Sequence, residues 1–266
     1  MTSVNAPDNN CYKFYKITSN IGLLDDCIDA TYILHLENNS RLDHIKAQLQ
    51  LYTPSKIVYI LYNKGFKNCK KDKVINTNTD IVDSNLHVFK HAQKENYNNI
   101  LILEDDFIFN TDIKNKEIST HISTFINNLD EDFVYHLGCI PYVQIPVNRY
   151  HFKLLAAVAA HACIYSKSVR ERILKVNQVD IIDWDVFLNM CNCTNRYTYW
   201  RPLCYQLFPE TENRKNWKSI PIISFLLNKF KYLLNMDKTP EPGFTIFYIL
   251  SKCMILIFIL IIMNLF

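Results

Sequence analysis

Apolar residues fall along this chain in two alternating rhythms. Residues 30–36, 57–61, 100–103, 133–137 and 156–165 are dense apolar runs of strand length. Between them, apolar positions recur every three or four residues. Leu42, Ile45 and Leu49 share one face after Ser40, which can cap a helix with Asp43 three residues on. Leu86 and Phe89 face inward in a second helix, capped by Asp83-Ser84 and running to Tyr97. The helical spacing returns at 113–129 and at 168–176. This alternation predicts an α/β fold with a mostly parallel central sheet covered by helices.

The remaining segments read differently. Residues 1–24 form a leader without clear pattern. Gly138, Pro141 and Pro146 predict a long loop over 138–153, suited to an acceptor lid. Residues 191–217 are irregular and aromatic, and Tyr199, Trp200, Tyr205 and Trp217 can stack on an acceptor sugar, with packing as the competing reading. An amphipathic helix is expected over 221–236, then a hinge at 240–243. The tail 244–266 is strongly apolar, broken only by Ser251-Lys252. A full span needs about 20 apolar residues. The tail is therefore expected to be a single C-terminal transmembrane helix, with Lys252 reaching toward the headgroups. The competing reading packs the same helix on the body. The domains expected are a leader at 1–24, a catalytic body at 25–219, a helix and hinge at 220–243, and an anchor at 244–266. No secretory signal is visible, which predicts a membrane-associated protein with a cytosolic body. The sequons at Asn38 and Asn192 supply the luminal alternative.

Composition narrows the function classes. The chain has 266 residues, 49% hydrophobic and 21% charged, which points to a packed body rather than disorder. Its net charge of +3 comes without a dense basic patch, so a nucleic-acid partner is not expected. The basic run at 64–73 reads as a solvated loop. Nine cysteines without a CxxC pair give no structural zinc site, and reduced core thiols are the default expectation.

The chemistry concentrates at residues 100–107, Ile-Leu-Ile-Leu-Glu-Asp-Asp-Phe. Three adjacent carboxylates cannot be buried unpaired, and a hard divalent cation would remove the conflict. In open α/β sheets, ligands bind beyond the carboxyl ends of the strands. A surface turn after an ordinary strand is the competing reading.

These eight residues resemble the Leu-Glu-Asp-Asp signature of the family 25 glycosyltransferases, the lipopolysaccharide and procollagen galactosyltransferase type. Similar segments follow the family order: 31–36 with Ser40-Arg41, then Ser84-Asn85, 160–163, 185–188 and 202–206. The resemblance covers roughly residues 28–217 and implies a GT-A-like nucleotide-sugar-binding fold. It implies a metal-dependent hexosyltransferase that uses Mn²⁺ or Mg²⁺, a UDP-linked sugar donor, and a glycan or glycoprotein acceptor. Asp106 and His161 would hold the metal; a hydrogen-bonded core residue is the competing role for His161. Glu104, Asp105, Arg41, Asn85 and Gln206 would bind the donor, Arg41 through its diphosphate. Asp185 would be the general base, with Asp183 beside it as the second candidate; capping of the next helix is the competing role for both. Asn85 stands where the family has His, and Cys163 where it has Tyr. Those departures motivate a second reading, a catalytically degenerate, membrane-anchored glycan-binding or scaffold protein on the same fold.

Overall fold

The computed structural model describes residues 2–4, 11–37, 39–130, 132–191, 195–207, 229 and 232–265. The sequon asparagines Asn38 and Asn192, Trp217 and most of the expected helix at 221–236 lie outside these residues. The strands are β1 (Thr2–Val4), β2 (Tyr12–Thr18), β3 (Ala30–Leu36), β4 (Ile57–Asn63), β5 (Asn99–Glu104), β6 (Phe107–Phe109), β7 (Phe133–Pro146), β8 (His151–Ser166), β9 (Asn195–Tyr199) and β10 (Cys204–Gln206). The helices are α1 (Leu42–Leu51), α2 (Thr77–Lys94), α3 (Lys116–Asn127), α4 (Lys167–Ile173), α5 (Trp184–Met190) and α6 (Gly243–Leu265).

Eight strands form one sheet in the order β1-β2-β4-β3-β5-β8-β7-β9, and β6 pairs with β10 separately. The sheet is mixed rather than mostly parallel. β3 runs parallel to β4 and β5, and β7 runs parallel to β9, whereas β2–β4, β5–β8 and β7–β8 are antiparallel. Period-two alternation sends neighbouring side chains to opposite faces. Ile33, Leu101 and Leu103 join the core with Ile45 of α1 and Ile118 and Ile122 of α3. Tyr32, Ile100 and Ile102 join the other core, with Val82, Leu86 and Phe89 of α2, Val169 of α4 and Trp184 of α5.

Three segments differ from the sequence expectation. Tyr12–Thr18, placed in the leader, is β2, fully paired with β4. The expected loop at 138–153 is mostly strand: β7 and β8 continue through it as a long hairpin that turns where Asn148 Oδ1 accepts the Tyr150 and His151 N–H groups, both at 2.9 Å. Gly138 and Pro141 are accommodated because the β7–β8 ladder is bulged between His136 and Gln144. α2 begins nearly two turns before Asp83, because Asn76 and Thr79 form a capping box.

The basic loop after β4 is tied inward. Cys11 and Cys69 form a disulfide, against the expectation of reduced thiols, because β2 runs antiparallel to β4 and brings Cys11 beside that loop. Lys71 is buried and paired with Asp80 and Asn63.

The apolar tail does form a helix, α6, but its first turns belong to the body. Phe244, Phe247, Tyr248 and Ser251 are buried. Tyr248 Oη lies 3.0 Å from Thr198 Oγ1, and Gln144 Nε2 donates to Tyr248 O at 3.1 Å and to Ser251 Oγ at 2.6 Å. Lys252 Nζ donates to Trp200 O at 2.6 Å and so is not directed to a headgroup. Among the described residues, no helix is long and apolar enough to cross a membrane. The expected transmembrane anchor, the membrane partner and the membrane-associated location are overturned by this packing.

Candidate functional site

The carboxyl ends of β4, β3 and β5 share one edge of the sheet, as parallel pairing requires. The chain breaks strand geometry after Glu104, and the next two residues turn before β6 starts. That turn separates the three carboxylates. Asp105 points back toward the end of β3, while Glu104 and Asp106 are half-buried and meet Gln206 of β10.

Asp105 is the anchored member. It receives Arg41 Nη1 at 2.5 Å, Asn39 Nδ2 at 2.5 Å, Leu36 N at 3.3 Å and His35 Nδ1 at 3.3 Å. Burial opposes its charge, but the His35, Arg41 and Asn39 contacts win and hold its carboxyl below the usual range. Asp105 thus orients Arg41, a residue expected at the site. Asp105 is itself held by His35 and Asn39, which sequence reasoning did not single out. The available signal was position: both lie at the end of β3 and in the loop that follows it.

Glu104 and Asp106 are the more accessible members. Gln206 Nε2 bridges them, 3.2 Å from Glu104 Oε2 and 3.1 Å and 3.2 Å from the two Asp106 oxygens. Arg41 Nη1 also lies 3.3 Å from Asp106 Oδ2. Burial, Asp106, Asp185 and Asp105 together push the Glu104 carboxyl well above its ordinary value. Burial also raises Asp106, with Arg41 and Gln206 working against the rise. The two carboxyl groups are raised together, and Gln206 stands between them as their shared donor.

Asp185, on the first turn of α5, accepts the Ala159 N–H at 2.7 Å and the Ala160 N–H at 3.0 Å. Asn189, one turn later, accepts from Ala157 N at 3.0 Å and donates to Ala157 O at 2.6 Å. These side chains satisfy the edge of β8 beyond the end of β5. Ala159 takes a left-handed backbone, φ 58°. Burial moves the Asp185 carboxyl up to about 6, with Asp183 adding to the rise and the two backbone bonds opposing it. Asp183 caps α5 through Val186 N at 3.0 Å and also receives Asn78 Nδ2 at 3.1 Å.

Two expected residues sit away from this group. Asn85 is buried within α2 and donates to Ile81 O at 3.0 Å. His161 is fully buried, its ring nitrogens 2.8 Å from Ala159 O and 3.3 Å from Cys204 O. Burial lowers its pKa to about 4.

The metal centre expected from Asp106 and His161 does not assemble. Among the described residues, no group of three His, Cys, Asp or Glu side chains is placed to hold a metal ion. The physical reason is that His161 faces two carbonyls and Asp105 faces four donors. The expectation of a manganese or magnesium ion held by Asp106 and His161 is corrected accordingly: Gln206 and Arg41 are the groups placed against the carboxyls of Glu104 and Asp106.

No family model and no curated protein matches the chain. Solved structures resemble it distantly. A197 from STIV is 10% identical, with a TM-score of 0.42, over 67% of this chain and 85% of that one. A glycosyltransferase involved in the glycosylation of the major capsid of PBCV-1 is 13% identical, with a TM-score of 0.32, over 61% and 68%. A mannose-1-phosphate geranyltransferase from Thermus thermophilus is 11% identical, with a TM-score of 0.38, over 64% and 72%. The likeness extends to several transferases and does not single out family 25.

Proposed function

We propose that this protein is a glycosyltransferase that moves a hexose from a nucleotide-linked donor to a hydroxyl group of a glycan or glycoprotein. The observation that carries the reading is the Glu104–Gln206–Asp106 arrangement at the carboxyl edge of the sheet. It presents two carboxyl groups and an amide within one hydrogen-bonded group. Such a set both donates to and accepts from sugar hydroxyls.

Arg41 supports binding of the diphosphate. Both of its carboxylate contacts use Nη1, and the side chain keeps 30% of its surface exposed. Its fixed positive charge favours the leaving group as negative charge develops there. Asp185 is the proposed base. With its pKa at about 6, it is mainly ionised at pH 7 yet still a competent proton acceptor. Its two backbone bonds leave lone pairs for the acceptor hydroxyl. The proton leaves the acceptor oxygen for Asp185, the new glycosidic bond forms at the anomeric carbon, and the electron pair of the broken bond departs with the nucleotide. The UDP-linked donor follows from the family resemblance alone.

A panel of nucleotide-sugars, assayed for released nucleotide with chelator and with added Mn²⁺, tests the reading. The wild type is expected to consume one donor, and Asp106→Asn to lose about 100-fold of that rate. Equal rates in the two proteins, or a panel left untouched, would overturn it.

A further inference from the structure

Gln206 reaches the acid pair from β10, a short strand with little backbone pairing of its own beyond β6. Something else must fix its height. The junction beneath it involves three residues from three strands. Gly138 of β7, His161 of β8 and Cys204 of β10 meet so closely that a Cβ at Gly138 would lie 2.2 Å from Cys204 O and 2.4 Å from His161 Nε2. His161 fills this junction completely, its ring standing between Ala159 O at 2.8 Å and Cys204 O at 3.3 Å. Phe244 of α6 closes the far side, edge-on to the ring at 5.8 Å.

We propose that His161 is a positioning residue: it sets the height of the Cys204 carbonyl, and through it the placement of the Gln206 amide between Glu104 and Asp106. Cys204 and Gln206 are alternate residues of one strand, so both side chains leave the same face and a shift at one is carried to the other. The chain of contacts begins at α5. Asp185 holds Ala159 and Ala160, the left-handed Ala159 turns its carbonyl onto His161, and His161 faces Cys204. Asp185 therefore acts on the donor side of the site through this junction, as well as at the acceptor. This deepens the transferase reading and rests on it for its catalytic meaning, but the geometry concerns Gln206 alone.

The two ring nitrogens separate in a simple experiment. Gln at position 161 can place an amide nitrogen near the Nε2 position, toward Cys204; Asn reaches only to the Nδ1 position, toward Ala159. In ¹⁵N-labelled protein, the side-chain NH₂ pair of Gln206 is identified by its disappearance in Gln206→Leu. It is expected to be shifted and slow to exchange in the wild type and in His161→Gln. In His161→Asn it is expected at the free-glutamine position, exchanging about 10-fold faster or more, as loss of a charge-assisted hydrogen bond requires. An unmoved Gln206 signal in folded His161→Asn overturns the proposal. Should His161→Asn not fold, Gly138→Ala crowds the same junction from β7 and is read in the same way. No donor is needed, so this test and the transferase assay fail independently.

Discussion

Gln206 Nε2 lies 3.1 Å from Asp106 Oδ1, although 100 residues separate the two in sequence. The amide is what lets two carboxyl groups share a confined space. Replacing Gln206 with Leu removes the donor and leaves both acids facing apolar surface. The Asp106 carboxyl is expected to rise further, and nucleotide release to fall about 10-fold, the equivalent of one lost hydrogen bond to a charged group. Unchanged turnover in Gln206→Leu would remove the amide from the site.

Arg41 is held by Asp105 rather than by a cap on its own helix, since α1 has no side-chain cap hydrogen bond. Arg41→Ala strands the buried Asp105 charge with His35, Asn39 and one backbone N–H. The expected cost is about 2 kcal/mol, less than for a fully buried pair because Arg41 is partly exposed. Arg41→Lys is expected to recover part of the loss, since one nitrogen, Nη1, makes both carboxylate contacts. Urea midpoints of the three proteins check both statements; full recovery by Lys would contradict them.

Stability should carry opposite pH signatures from His161 and Asp185. Burial lowers His161 to about 4, so the unfolded chain takes up its proton first on acidification. Its contribution is complete above pH 6.5 and lost as pH falls toward 4, on the order of 3 kcal/mol in all. Asp185 is raised from 3.8 to about 6, so its contribution is complete below 3.8 and lost as pH rises through 6. Relative to wild type, His161→Asn should flatten the stability profile between pH 4 and 6.5, and Asp185→Asn should remove a decline between pH 4 and 6. Parallel profiles for wild type and both variants would show that neither group is buried as described.

The Cys11–Cys69 disulfide ties the start of β2 to the loop that buries Lys71, across 58 residues of sequence. A crosslink of that span stabilises by about 4 kcal/mol through the unfolded chain. Cys69→Ser is expected to lower Tm by about 10 °C. A Tm within a degree of wild type would mean that the tether is not formed in solution.

Much of the scaffold was legible because strand-length runs and helical spacing are local signals. The runs at 30–36, 57–61 and 100–103 became β3, β4 and β5, each within two residues at either end. What was not legible depends on partners distant in sequence. β2 shows only partial alternation, and its identity as a strand comes from pairing with β4. Gly138 and Pro141 read as loop residues, yet Gly138 is needed where three strands crowd and Pro141 sits in a bulged ladder. The tail was apolar enough to read as a span. The polar seam from Tyr248 and Ser251 to Thr198 and Gln144 binds its first half to the body. At the site, Glu104, Asp105 and Asp106 stood out by their charge, but the partner of each acid was not legible: it depends on the turn that sends Asp105 toward Arg41.

Binding of a nucleotide-sugar to Glu104 and Asp106 is the claim on which the functional account turns, and calorimetric titration measures it directly. Wild-type protein should bind one UDP-hexose with a saturable, single-site isotherm, and Glu104→Gln combined with Asp106→Asn should abolish that heat while leaving the folded Tm within a few degrees. An isotherm of equal strength in the double variant, or no heat from the wild type with any nucleotide-sugar, would contradict it.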